Sequence, residues 1–61
     1  MNIIQFNNIG NNNFLQLAEI DKIYYITIMN KNEDITYLKK TINKKLAFHW
    51  YNFLYYSKLK I

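Results

Sequence analysis

Few residues of this chain could serve as an acid, a base, a nucleophile or a metal ligand. The carboxylates are Glu19, Asp21, Glu33 and Asp34, and the single imidazole is His49. Glu33 and Asp34 are adjacent and point to different sides of a helix start, so they do not form an acid/base pair across one substrate. They read as helix-start charges, and Asp21 reads as a turn residue. His49 has no carboxylate at helical spacing and reads as a structural or interface histidine. The chain has no cysteine. It also lacks a glycine-rich phosphate loop, a nucleophile elbow and a metal-spaced cluster. These observations argue against an enzyme and imply neither a cofactor nor a metal.

Lys39, Lys40, Lys44 and Lys45, with Tyr37, Tyr51 and Tyr55 among them, are the remaining group with a chemical use. Lysine neutralises phosphates, and aromatic faces stack on unpaired bases. Against that use, the chain has no arginine for bidentate contacts to guanine. On a helix the lysines also spread: Lys40 and Lys44 fall near the aromatic face, Lys39 by the apolar stripe and Lys45 at its other edge. A solvated helix middle is the plainer account. Nucleic acid and an acidic protein partner are the competing ones. The net charge of +4 comes entirely from eight lysines over four carboxylates, beside ten Asn and ten Ile and no Val or Pro. Such a bias suits an AT-rich genome, which lowers the weight of the positive charge as a sign of function.

The stretch Leu46 to Tyr56 dominates the rest of the chain. Six of its eleven residues are aromatic: Phe48, Trp50, Tyr51, Phe53, Tyr55 and Tyr56. A helix that is apolar all round needs cover on every side. A membrane span needs about 20 apolar residues, more than this run supplies. Its aromatics fall on two opposite faces, which argues against a helix lying in a membrane surface. The N-terminal residues lack the basic and apolar regions of a signal peptide, and a cytoplasmic setting is expected, that of the host cell if the protein is viral.

The elements that must position these residues follow from local pattern. Asn2 to Phe6 reads as a strand, and the Asn-rich segment from Asn7 to Asn13 as a loop. Ile23 to Met29, rich in β-branched and aromatic residues, is the firmest strand. Phe14 to Ile20 suits a strand, although Phe14, Leu17, Ala18 and Asp21 also share a helical face. A two-residue turn at Asp21-Lys22 would pair residues whose numbers sum to 43. Leu17 then faces Ile26 and Leu15 faces Ile28 on one apolar side, while Gln16/Thr27, Ala18/Tyr25 and Ile20/Ile23 make a more mixed side. From Ile35 the period changes to about 3.6, with Asn30 or Asn32 as N-cap and Lys58 and Lys60 near the C-terminal end. One stripe collects Ile35, Leu38, Ile42, Leu46, His49, Phe53 and Tyr56. The opposite stripe collects Tyr37, Lys44, Phe48, Tyr51 and Tyr55.

The expected fold is α+β: one domain over residues 1–61, with a small antiparallel sheet of about three strands in 2–29. One long C-terminal helix over about 33–59 packs on it. The expected core is Ile4, Phe6, Leu15, Leu17, Ile26, Ile28, Ile35, Leu38, Ile42 and Leu46. A helix of that length would run roughly 37 Å against some 27 Å of strand, so its last two turns should overhang the sheet. The expected function is a small non-enzymatic interaction protein that binds and inhibits a larger host protein, of viral or mobile-element origin. The expected docking residues are Phe48, Trp50, Tyr51, Tyr55 and Tyr56, with homodimerisation through the overhanging end. A small basic nucleic-acid-binding regulator and a self-assembling structural protein are the alternatives.

Overall fold

The structure is a computed structural model that describes residues 2–59 and, within them, the side chains as far as Ser57. Lys60 and the Lys58 side chain, expected to complement the end of the helix, lie outside the described residues. The architecture is α+β. Strands β1 (Asn2–Gly10), β2 (Asn13–Ile20), β3 (Ile23–Asn30) and β4 (Ile35–Thr41) precede one helix, α1 (Lys44–Leu59). The strands form an antiparallel meander in the order β1-β2-β3-β4. The helix lies across one face of the sheet and touches all four strands.

Tight turns carry the meander. Asn11 and Asn12 have φ of 54° and 61°, and Asp21 and Lys22 have φ of 50° and 66°. Two successive left-handed residues make a type I′ turn, whose twist matches that of the flanking strands. The second turn sets Leu15 opposite Ile28 and Leu17 opposite Ile26, as the register arithmetic requires. The first turn shortens the expected Asn7–Asn13 loop to two residues. Asn tolerates left-handed backbone well enough for β1 to continue through Gly10.

Residues 35–41 correct the expected helix. Asn30 accepts a backbone hydrogen bond from Glu33, and its side-chain oxygen accepts from the amides of Asn32 and Asp34. With Glu33 at φ 66°, this is a three-residue hairpin loop ending in a left-handed residue. Glu33 and Asp34 therefore belong to a turn, not to a helix start. The chain returns as β4 along the free edge of β3, an arrangement suited to the β-branched Ile35, Thr36 and Thr41. The helix starts only at Asn43, whose side chain accepts from the Leu46 amide at 3.0 Å and so acts as N-cap. Sixteen residues span about 24 Å, no longer than an eight-residue strand, so no overhang forms.

The core lies between helix and sheet. Leu15, Leu17, Ile26, Ala47 and Tyr51 are fully buried, with Ile4, Ile9 and Ile28 packed against them. Phe6, Ile35, Leu38, Ile42 and Leu46, all expected in the core, are exposed. Phe6 and Ile35 sit on the opposite face of the sheet. Leu38 occupies a bulge in β4, and Ile42 lies in the link to the helix.

Two stability outcomes follow. Ile26→Ala should cost about 2–5 kcal/mol and Ile42→Ala close to nothing in urea unfolding, because only the first leaves a cavity. Lys22→Gly should stabilise by about 0.5–1 kcal/mol, since glycine bears left-handed φ without a Cβ clash. At this size that is a rise of several degrees in Tm.

Candidate functional site: an uncharged outer helix face

The rotation of α1 decides which side chains meet solvent. Ala47 and Tyr51 point into the sheet, with Phe48, Trp50, Leu54 and Tyr55 half-buried around them. The stripe expected to dock a partner is thus the one that packs on the sheet. Tyr51 is 1% exposed. Its hydroxyl donates to the Leu15 carbonyl at 2.9 Å and accepts from the Asn7 side-chain amide at 2.8 Å. Burial pushes its pKa above the ordinary 10.0; the Asn7 hydrogen bond pulls the other way, and the nearby Tyr55 adds to the rise.

Of the five residues expected to dock, only Tyr56 is exposed. Phe48, Trp50 and Tyr55 lean on the core, and Tyr51 is part of it. Trp50 is further covered by Lys39, whose Nζ lies 4.7 Å from the ring centroid in a cation–π contact. Tyr55 meets Tyr56 edge-on at 5.4 Å.

The outward face is instead built from the other stripe, that of Leu46, His49, Phe53 and Tyr56, of which Leu46 was expected in the core. Phe53 is 64% exposed and Tyr56 60%, with Leu46 and His49 in the same row. His49, Asn52, Phe53, Tyr56 and Ser57 line a shallow depression of about 300 Å³. From Leu46 to Ser57 the helix carries neither lysine nor carboxylate. A solvated helix face normally carries charge, and contiguous exposed apolar surface marks an interaction site. The sequence signal for this rotation was Ala47, the smallest side chain of the aromatic run, which allows the helix its close approach to the sheet.

The lysines do not form a helical stripe. Lys39 and Lys40 belong to the edge strand β4, on opposite sides of the sheet, and Lys44 and Lys45 open the helix. Lysines and a bulge on an edge strand also discourage pairing with another chain. A concavity of about 490 Å³ is lined by Tyr25, Tyr37, Leu38, Lys39 and Lys40. Among the described residues no cluster of His, Asp or Glu is spaced to hold a metal, and no helix is long and apolar enough to cross a membrane.

Tyr51 yields a pH prediction. Burial makes the phenolate costly, and a phenolate could not donate to the Leu15 carbonyl, so the fold holds the proton more tightly than the unfolded chain does. The resulting stability is complete below pH 10 and is lost as pH rises from there through the raised folded pKa. Tyr51→Phe should cost about 1–3 kcal/mol at neutral pH. It should also flatten the fall in stability above pH 10 when urea midpoints are followed against pH.

Comparison with protein-family models, with curated protein sequences and with solved structures returns no match.

Proposed function

We propose that this chain is a small non-enzymatic interaction module that docks on a larger protein through the outer face of α1. The observation that carries the reading is the uncharged outer face, where Phe53 and Tyr56 stand exposed beside His49 with no charged residue between Leu46 and Ser57. Tyrosine and phenylalanine offer large contact area with few rotatable bonds, and aromatic anchors dominate binding energy at protein interfaces. The docking set is therefore Leu46, His49, Phe53 and Tyr56, with only Tyr56 kept from the aromatic set expected earlier. The inhibitor form of this reading, a phage or mobile-element protein acting in a host cytoplasm, rests on small size and AT-rich composition.

A nucleic-acid reading has one observation in its favour, the concavity that Tyr25 and Tyr37 share with Lys39 and Lys40. A base stacked on Tyr37 would place phosphates within reach of Lys40. One of these lysines already sits over Trp50, which weakens the patch.

Affinity capture from host lysate, with and without nuclease, separates the readings. One stoichiometric protein should survive nuclease and disappear when Phe53→Glu is combined with Tyr56→Glu. Equal recovery with the double variant would move the docking surface off the helix. Recovery that nuclease abolishes, or that falls steeply with salt, would transfer the function to the lysines.

A further inference from the structure

The sheet has two faces and the helix covers one. The protomer is thin, with Cα extents of 30 × 24 × 15 Å, as one helix layered on one sheet should be. On the uncovered face the even-numbered residues of β2 meet the odd-numbered residues of β3. Gln16 and Thr27 form the central pair, with Ala18 and Tyr25 beside them. Phe6 and Phe14 stack on the β1 side at 5.0 Å, and Tyr25 meets Tyr37 edge-on at 6.0 Å on the β4 side. Between the turns the face carries no carboxylate, and its one charged side chain is Lys40 on the edge strand.

We propose that a second copy of this chain covers that face, packed sheet on sheet across a two-fold axis with Gln16 near its centre. The area is sufficient. Four strands about 4.8 Å apart, each about eight residues of 3.3 Å, present roughly 500 Å² per copy before side-chain relief. Two copies then bury about 1,000 Å² or more, the lower bound for a specific interface. Sheets packed this way lie about 10 Å apart, with strands nearly aligned.

The centre of the face points to a second copy over a foreign partner. Gln16 is only 6% exposed, yet its amide nitrogen reaches nothing better than the Met29 sulfur at 3.8 Å. Sulfur is a weak acceptor, so the amide keeps hydrogen-bonding capacity that its own protomer does not use well. An amide both donates and accepts, so two of them related by a two-fold axis satisfy each other reciprocally. The relief of the face is self-complementary in the same sense. Tyr37, 67% exposed, projects beside a hollow of about 140 Å³ floored by Gln16, Ala18 and Thr27. In an isologous interface each copy offers the other both knob and hole. Pairing buries no carboxylate and leaves Lys40 at a rim. The foreign partner proposed above docks on the opposite side of the molecule, so the two interactions are compatible and are tested separately.

The test is the mass of the full chain by sedimentation equilibrium over a hundredfold range of concentration. The wild type should reach twice the 7.5 kDa protomer mass. Tyr37→Glu should remain folded by circular dichroism and shift to the protomer mass. Ile42→Glu, an equally abrupt charge on an exposed residue away from the face, should leave the dimer intact. A wild type that stays monomeric throughout, or a Tyr37→Glu variant that stays dimeric, overturns the proposal. Should Tyr37→Glu unfold, isotope-filtered NOEs on mixed labelled and unlabelled wild type decide. Intermolecular contacts at Tyr37, Ile35 and Phe6 support the interface, and their absence, or contacts at helix residues alone, overturns it.

Discussion

Tyr51 ties the two layers of this protein together. Its ring fills the space between helix and sheet, and its hydroxyl bridges the Leu15 carbonyl of β2 and the Asn7 side chain of β1. A buried tyrosine needs a partner for its hydroxyl, and here both halves of that need are met from the sheet. Because Ala47 lies one turn earlier on the same side, the helix can sit close enough for the contact to form. Fixing Tyr51 inward fixes every other side chain of the helix. Phe48, Leu54 and Tyr55 are drawn against the core, while His49, Phe53 and Tyr56 are turned to solvent.

The sheet beneath is held by turn chemistry as much as by apolar burial. Three consecutive hairpins each place non-glycine residues at positive φ: Asn11 and Asn12, Asp21 and Lys22, then Glu33. Each left-handed residue opposes stability, yet each reverses the chain within two or three residues and so keeps all pairing local. Both outer strands carry register irregularities, β1 near Ile4 and Ile9 and β4 at Leu38. Bulges of this kind interrupt an edge that would otherwise recruit further strands. Open edges are thus blunted, while the uncovered sheet face and the outer helix face stay exposed.

A small domain cannot surround all of its apolar side chains. Here the surplus falls on two opposite surfaces of different character. The helix surface is narrow and aromatic, with the exposed Phe53 and Tyr56 rings about one turn apart beside a shallow depression. The sheet surface is broad, with a polar pair at its centre and a hollow bounded by tyrosines.

How much of this was legible in the sequence differs between elements. The β2–β3 hairpin was readable residue by residue, because a two-residue turn and a period of two leave only one register that gathers Leu15, Leu17, Ile26 and Ile28 on one side. An aromatic C-terminal helix was readable as well, since nothing between Leu46 and Ser57 interrupts it. The helical period assigned to Ile35–Thr41 was a coincidence of spacing, overridden by the Asn30 turn and by the free edge of β3, which supplies hydrogen bonds no isolated segment has. Helix rotation was hidden for a related reason. With apolar residues on both stripes, periodicity alone cannot choose which one faces inward. The sequence by itself determined the Asp21-Lys22 reversal, the alternation of β2 and β3 and the presence of an apolar helix, all of which depend on neighbours in the chain. Only the tertiary structure decided which faces are buried and which remain open, because that choice depends on partners 36 and 44 residues away, the Leu15 carbonyl and the Asn7 amide that receive Tyr51.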